Sequence, residues 1–216
     1  MKRKTIVPLF LCLLLFLSAC SRPANAAADG NLAIAGTEAS GSSGKEANKD
    51  IENMTKMLGA IMLTSYQSGL EYDPSDPEMY WNGLYYYFLS YGQAIPGTVY
   101  DSSGEYFLIK APALTEAQNV MFGDAVTIPA LPASMKKIQL LQDGSCRIEA
   151  GKAPEAESSI TDLSENKDGT WEAVSSLTDA SGAQLYSNTY HLKPRTGKTG
   201  VLDMQYQYAV CSGGMG

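Results

Sequence analysis

In Asp76-Pro77-Glu78-Met79-Tyr80-Trp81-Asn82-Gly83-Leu84-Tyr85-Tyr86-Tyr87-Phe88-Leu89-Ser90-Tyr91, roughly Glu78 to Tyr91 reads as a helix with hardly any polar face. Ser75 or Asp76 is placed to cap it, Pro77 suits its first turn, and Glu78 complements the helix dipole. A helix apolar nearly all round is buried. Yet it carries five tyrosines, and nine of the chain's thirteen lie between Tyr66 and Tyr106. A desolvated tyrosine hydroxyl needs a partner. Such an element fits between a dry core and something wet. Tyr80, Trp81, Tyr85, Tyr86, Tyr87 and Tyr91 are therefore the candidate binding surface, against a plainer reading as core with a few half-exposed rings.

The acidic stretch before this helix, Glu71-Tyr72-Asp73-Pro74-Ser75-Asp76-Pro77-Glu78, has four carboxylates. It lacks the spacing and glycine of a calcium loop, so it reads as a helix start. Upstream, Ile51, Met54, Leu58, Ile61 and Ser65 repeat every three or four residues, flanked by Met57 and Met62. That predicts a first amphipathic helix ending near Ser68-Gly69. Downstream, Glu105 to Ile109 reads as a short strand. Thr115 to Phe122 reads as a short helix, with Thr115 and Gln118 as a capping box and Gly123 as its stop; residues 125–135 form a loop.

Beyond that loop the period falls to two. Turns at Asp143-Gly144, Asp168-Gly169 and Asp179-Ala180-Ser181-Gly182 separate hairpin strands. Along Val201–Val210, Leu202, Met204, Tyr206, Tyr208 and Val210 share one face. Tyr186, Tyr190 and Leu192 share another, which turns His191 outward. Helices followed by an antiparallel β-meander make an α+β domain.

The N-terminus carries a different signal. Lys2-Arg3-Lys4, an apolar run from Ile6 to Leu17, and Leu17-Ser18-Ala19-Cys20 together resemble the signal peptide and lipobox of bacterial lipoproteins. The run is too short to span a bilayer comfortably. An ordinary secretory cleavage within Ala24–Ala28 and an uncleaved anchor are the competing readings. The resemblance implies cleavage before Cys20, diacylation of its sulfur with palmitate-type chains, and residence on the extracytoplasmic face of a bacterial cell envelope. Two acyl chains anchor stably where one is marginal.

Three segments follow: a signal peptide at 1–19, an Ala/Gly/Ser-rich tether at 20–47, and one domain at 48–216. As a coil the tether has an r.m.s. reach of about 30 Å. Loss of Lys2, Arg3 and Lys4 leaves 13 basic residues against 23 acidic ones, a net charge of −10. Nucleic acid and anionic lipid head groups repel such a chain, so nucleic acid is not an expected partner.

Cys146 and Cys211 remain as a candidate disulfide in an oxidising compartment. If paired they close a long loop worth on the order of 4 kcal/mol; the alternative is two separate thiols. With His191 the only imidazole, a structural zinc site is improbable, and neither metal nor cofactor is expected. Arg195-Thr196-Gly197-Lys198-Thr199 lacks the first glycine of a phosphate loop, since position 192 is Leu, and reads as a turn. No catalytic residue is assigned.

The order helix–helix–strand–helix–strands over residues 48–211 resembles the cone-shaped NTF2-like superfamily. That likeness implies helices packed on a curved sheet around a pocket. The leading expectation is a non-enzymatic, membrane-anchored envelope lipoprotein whose domain binds a small ligand or an envelope protein. The alternatives are a small NTF2-like isomerase or hydratase using a pocket carboxylate and a tyrosine, and a structural or assembly protein of the envelope.

Overall fold

The tyrosine-rich helix forms because its start and its apolar faces agree. The Asp76 Oδ1 accepts from the backbone N–H groups of Glu78 and Met79, at 2.8 and 2.9 Å. Pro77 opens the helix, which runs Pro77–Tyr91. This computed structural model describes residues 49–95, 97–123, 126–195 and 208–214, which belong to one compact unit. The lipobox, Cys20, the tether and the expected strand positions 201–207 lie outside the described residues.

The helices are α1 (Thr55–Ser68), α2 (Pro77–Tyr91), a 3-10 turn at Gly92–Ala94, and α3 (Ala111–Phe122). The strands are β1 (Val99–Tyr100), β2 (Tyr106–Ile109), β3 (Ile138–Leu140), β4 (Cys146–Glu149), β5 (Ala156–Glu165), β6 (Trp171–Asp179), β7 (Gln184–Pro194) and β8 (Tyr208–Gly214). They make two four-stranded antiparallel sheets, ordered β1-β2-β4-β3 and β5-β6-β7-β8. The class is α+β, with α1 packed across β5, β6 and β7 of the C-terminal meander and α3 alongside β8.

The stripe Ile51, Met54, Leu58, Ile61 and Ser65 is buried, as are Met57 and Met62. A turn at Met54 separates α1 from a helical lead-in at residues 49–53. α1 stops where expected: Gly69 has φ 71° and its N–H donates to Ser65 O at 2.8 Å. That left-handed conformation costs glycine nothing and a Cβ-bearing residue a good deal.

α3 differs from expectation at its start. It begins at Ala111, with Pro112 in its first turn and Lys110 supplying no side-chain cap. Thr115 is exposed within the helix and Gln118 is buried, so they form no capping box. Proline's preset φ and the buried stripe Ala113, Leu114, Ala117, Val120 and Met121 outweigh a polar pair one turn in.

In the meander, Ala173, Leu177, Tyr190, Leu192 and Val210 point inward and are buried. Register shifts break β5–β6 pairing between Ile160 and Asp162 and β7–β8 pairing between His191 and Leu192. The aromatic centre lies between helices and sheet. Tyr80 stacks on Phe122 at 4.4 Å between centroids, and Tyr72 meets Tyr190 edge-on at 6.1 Å.

Candidate functional site

The structure moves most of the expected tyrosine surface inward. Tyr80 and Trp81 are each 1% exposed, Tyr85 6% and Tyr87 0%; only Tyr86 and Tyr91 are half-buried. An exposed aromatic face built from all six is therefore corrected to a core wall with a rim. The cause is enclosure, since α2 contacts α1, α3 and β4 at once. Several polar tips find partners. Trp81 Nε1 donates to Pro129 O at 3.0 Å, and nearby Tyr72 donates to Met121 O at 2.7 Å. At the rim Tyr86 donates to Gln67 Oε1, and Lys56 lies over the Tyr91 ring. Burial raises the pKa of Tyr72, Tyr80, Tyr86, Tyr91 and Tyr190 above the ordinary tyrosine value, so these hydroxyls stay neutral at physiological pH.

What α2 does present outward is a cleft. Glu78 and Asn82, one helical turn apart, line it from α2. Ser134, Met135, Lys136 and Lys137, the segment leading into β3, line it together with Glu149, which ends β4 beside Lys137. The space between them is about 400 Å³ and opens to solvent, within the usual size of small-ligand sites. Tyr85 borders it: the Lys137 ammonium lies 5.0 Å from its ring centroid. Burial raises the Tyr85 pKa, and the Glu149 charge adds to the effect, followed by Tyr86.

Backbone bonds hold the segment carrying Lys136 and Lys137 in place and tie it to Glu149. Met135 N–H donates to Pro132 O, Lys136 N–H to Ser134 O and Glu149 N–H to Lys137 O, each at 2.9 Å. Apart from Glu78, read as a helix-dipole partner, and Tyr85, sequence reasoning missed these residues. The available signal was Lys136-Lys137, the only adjacent lysine pair in the chain.

The remaining candidates stand apart. Of the candidate disulfide pair, Cys146 is buried in β4 and Cys211 is exposed on β8 of the other sheet, and both are free thiols in this structure. Burial pushes the Cys146 thiol up to about 12; the Cys211 thiol donates to His191 O at 3.1 Å. His191 faces outward, its Nδ1 3.9 Å from Glu172 Oε2. Glu116 of α3 and Arg195, side chains 4% and 5% exposed, approach to 4.0 Å.

Asp73 and Asp76 are taken up by turn and cap bonds. Among the described residues no group of three or more His, Cys, Asp or Glu could hold a metal, and no helix is long and apolar enough to cross a membrane. Of the phosphate-loop echo, residues 196–199 lie outside the described residues.

No family model, no curated protein and no solved structure matches the chain. The likeness to NTF2-like domains thus rests on element order alone.

Proposed function

We propose that this protein is a bacterial envelope lipoprotein, anchored by lipid on Cys20, whose tethered α+β body is a non-enzymatic binding module. The observation that carries the binding reading is the cleft beside α2, where three segments distant in sequence bring charged side chains around a solvent-filled space. The anchor rests on Leu17-Ser18-Ala19-Cys20 and the basic and apolar segments before it.

Two features favour binding over the isomerase or hydratase alternative. That chemistry wants a carboxylate free to take a proton in an apolar pocket beside a tyrosine. The buried carboxylate of Glu116 instead faces the Arg195 guanidinium. Between α1 and the meander, at Gly59, Ser158 and Leu177, the space is about 20 Å³, room for about one water.

Native mass spectrometry of the protein released gently from its own host's envelope tests the proposal. The expected result is a diacyl mass on Cys20 plus a ligand or protein partner on the body. A body released without any associated mass would overturn the binding reading. A Cys20→Ser variant that still fractionates with membranes would overturn the anchor.

A further inference from the structure

The edge strands of the two sheets are β1, β3, β5 and β8, and they are not alike. β8 lies against α3. β1 is two residues long. β5 is ten residues long, but Glu157, Asp162 and Glu165 stand exposed along it. A second β5 laid beside it would meet its own carboxylates. Cover, shortness and charge are the usual protections of a sheet edge. β3 is short, at three residues, yet it bears no carboxylate and is open.

The bonds to β4 fix which way the β3 backbone points. Glu149 N–H donates to Lys137 O and Leu141 N–H to Ser145 O, at 2.9 and 2.8 Å. Between them Ile138 lies opposite Ile148, Gln139 opposite Arg147 and Leu140 opposite Cys146. The alternation of an antiparallel ladder then turns the backbone of Gln139 towards β4 and that of Ile138 and Leu140 away from it. Among the described residues no backbone hydrogen bond takes up the Ile138 or Leu140 N–H. Every residue from Gln139 to Gly144 is exposed. Leu140 and Leu141 are 47% and 37% exposed, among the few large apolar side chains that the domain shows to water.

This edge is complementary to itself. An antiparallel copy centred on Gln139 places Ile138 opposite Leu140 of the second copy, and Leu140 opposite its Ile138, so that both pairs exchange backbone hydrogen bonds. Ile138 and Leu140 share the face that packs on the core. Each exposed Leu140 therefore comes over the other copy's buried Ile138. Gln139 meets Gln139, an uncharged pair. Lys136, which is exposed, comes opposite Gln142 and one residue from Asp143, and symmetry repeats that approach of opposite charges.

We propose that β3 pairs antiparallel with β3 of a second copy of this chain, joining two four-stranded sheets into one about a two-fold axis at Gln139. The pairing is weak and reversible, because only Ile138 and Leu140 of each copy bond across it. Anchoring on one membrane raises the local concentration of copies and favours it. It goes beyond the ligand-binding reading of the body and does not depend on what the cleft holds.

The test is cysteine crosslinking of the full chain in its own host's envelope, with Cys211→Ser removing the exposed native thiol. Gln139→Cys sits on the axis, where facing Cα atoms are about 4.5 Å apart and within disulfide reach. Under copper-phenanthroline oxidation it should form a homodimer about tenfold faster than Ser159→Cys, an exposed position on the β5 edge, or than the Cys211→Ser background. Adding Leu140→Glu, a change at an exposed side chain, should cut that rate about tenfold and leave the thermal midpoint unchanged.

A Gln139→Cys chain that crosslinks no faster than the background or Ser159→Cys would overturn the proposal. So would a rate indifferent to Leu140→Glu, or a crosslink to a different protein. A crosslink formed only when Gln139→Cys and Ser159→Cys chains are mixed would replace the two-fold pair by a head-to-tail contact of β3 with β5, and would overturn it equally.

Discussion

The interior and the rim of this domain use the same residue types to opposite ends. Where α2 meets α1, α3 and β4, Tyr80, Trp81 and Tyr87 are sealed from water. At the rim Tyr85 and Tyr86 touch Lys137 and Gln67, and charged groups surround open space. A ring contributes mainly by the area it removes from water; its polar tip matters only where water cannot replace the partner. The interior should therefore be intolerant of substitution, and the rim should tolerate it while governing pH response and binding.

Truncation at the interior has the largest expected effect. Trp81→Ala removes a fully buried ring and the bond to Pro129 O. It should cost about 3–5 kcal/mol, seen as a lowered urea midpoint with an unchanged slope. A loss under about 1 kcal/mol would show that this wall is not part of the core.

Next is the contact of α1 with the meander. A Cβ on Gly59 would lie 2.4 Å from Ser158 Oγ and 2.8 Å from its Cβ. Gly59→Ala should destabilise by about 1–3 kcal/mol, although alanine favours the helix. Adding Ser158→Gly should recover part of the loss. If the double variant is no better than the single one, the clash is not the cause.

The rim answers to acid. Asp101 has its pKa lowered from 3.8 to about 2, by the Ser103 hydroxyl first and then by Arg147. Because the folded value lies below the ordinary one, its contribution is full above about pH 4 and fades as pH falls towards 2. Asp73, Asp143, Asp168 and Asp179 are shifted the same way, each chiefly by the hydroxyl of the Ser or Thr two residues on. Asp101→Asn should lower stability at neutral pH, where the contribution is full, and flatten the acid limb of a stability-against-pH curve, so that the two proteins converge as pH falls towards 2. An identical acid limb would remove the turn carboxylates from the account. The smallest effect belongs to Tyr86→Phe, which loses an exposed bond to Gln67 and should change stability by less than about 0.5 kcal/mol by the same urea measurement.

Much of the local structure was legible in the residues. The stops at Gly69 and Gly123 and the cap at Asp76 occur where chain chemistry demands them. So do the turn glycines at 144, 169 and 182, all with φ near 80°. The start of α3 was not, because Pro112 and Thr115 both signal helix beginnings and only packing chooses between them. Nor was the cleft. Glu78, Lys136, Lys137 and Glu149 each look like ordinary solvated charges along the chain.

By itself the sequence determined the class, α+β, through a change of hydrophobic period and through turn residues whose backbone preferences act over a few positions. Tertiary structure alone decided which tyrosines are core, that Cys146 and Cys211 belong to different sheets, and that two lysines and two glutamates line one cleft. Burial and juxtaposition depend on contacts between residues far apart in the chain, and neither periodicity nor composition encodes such contacts one residue at a time.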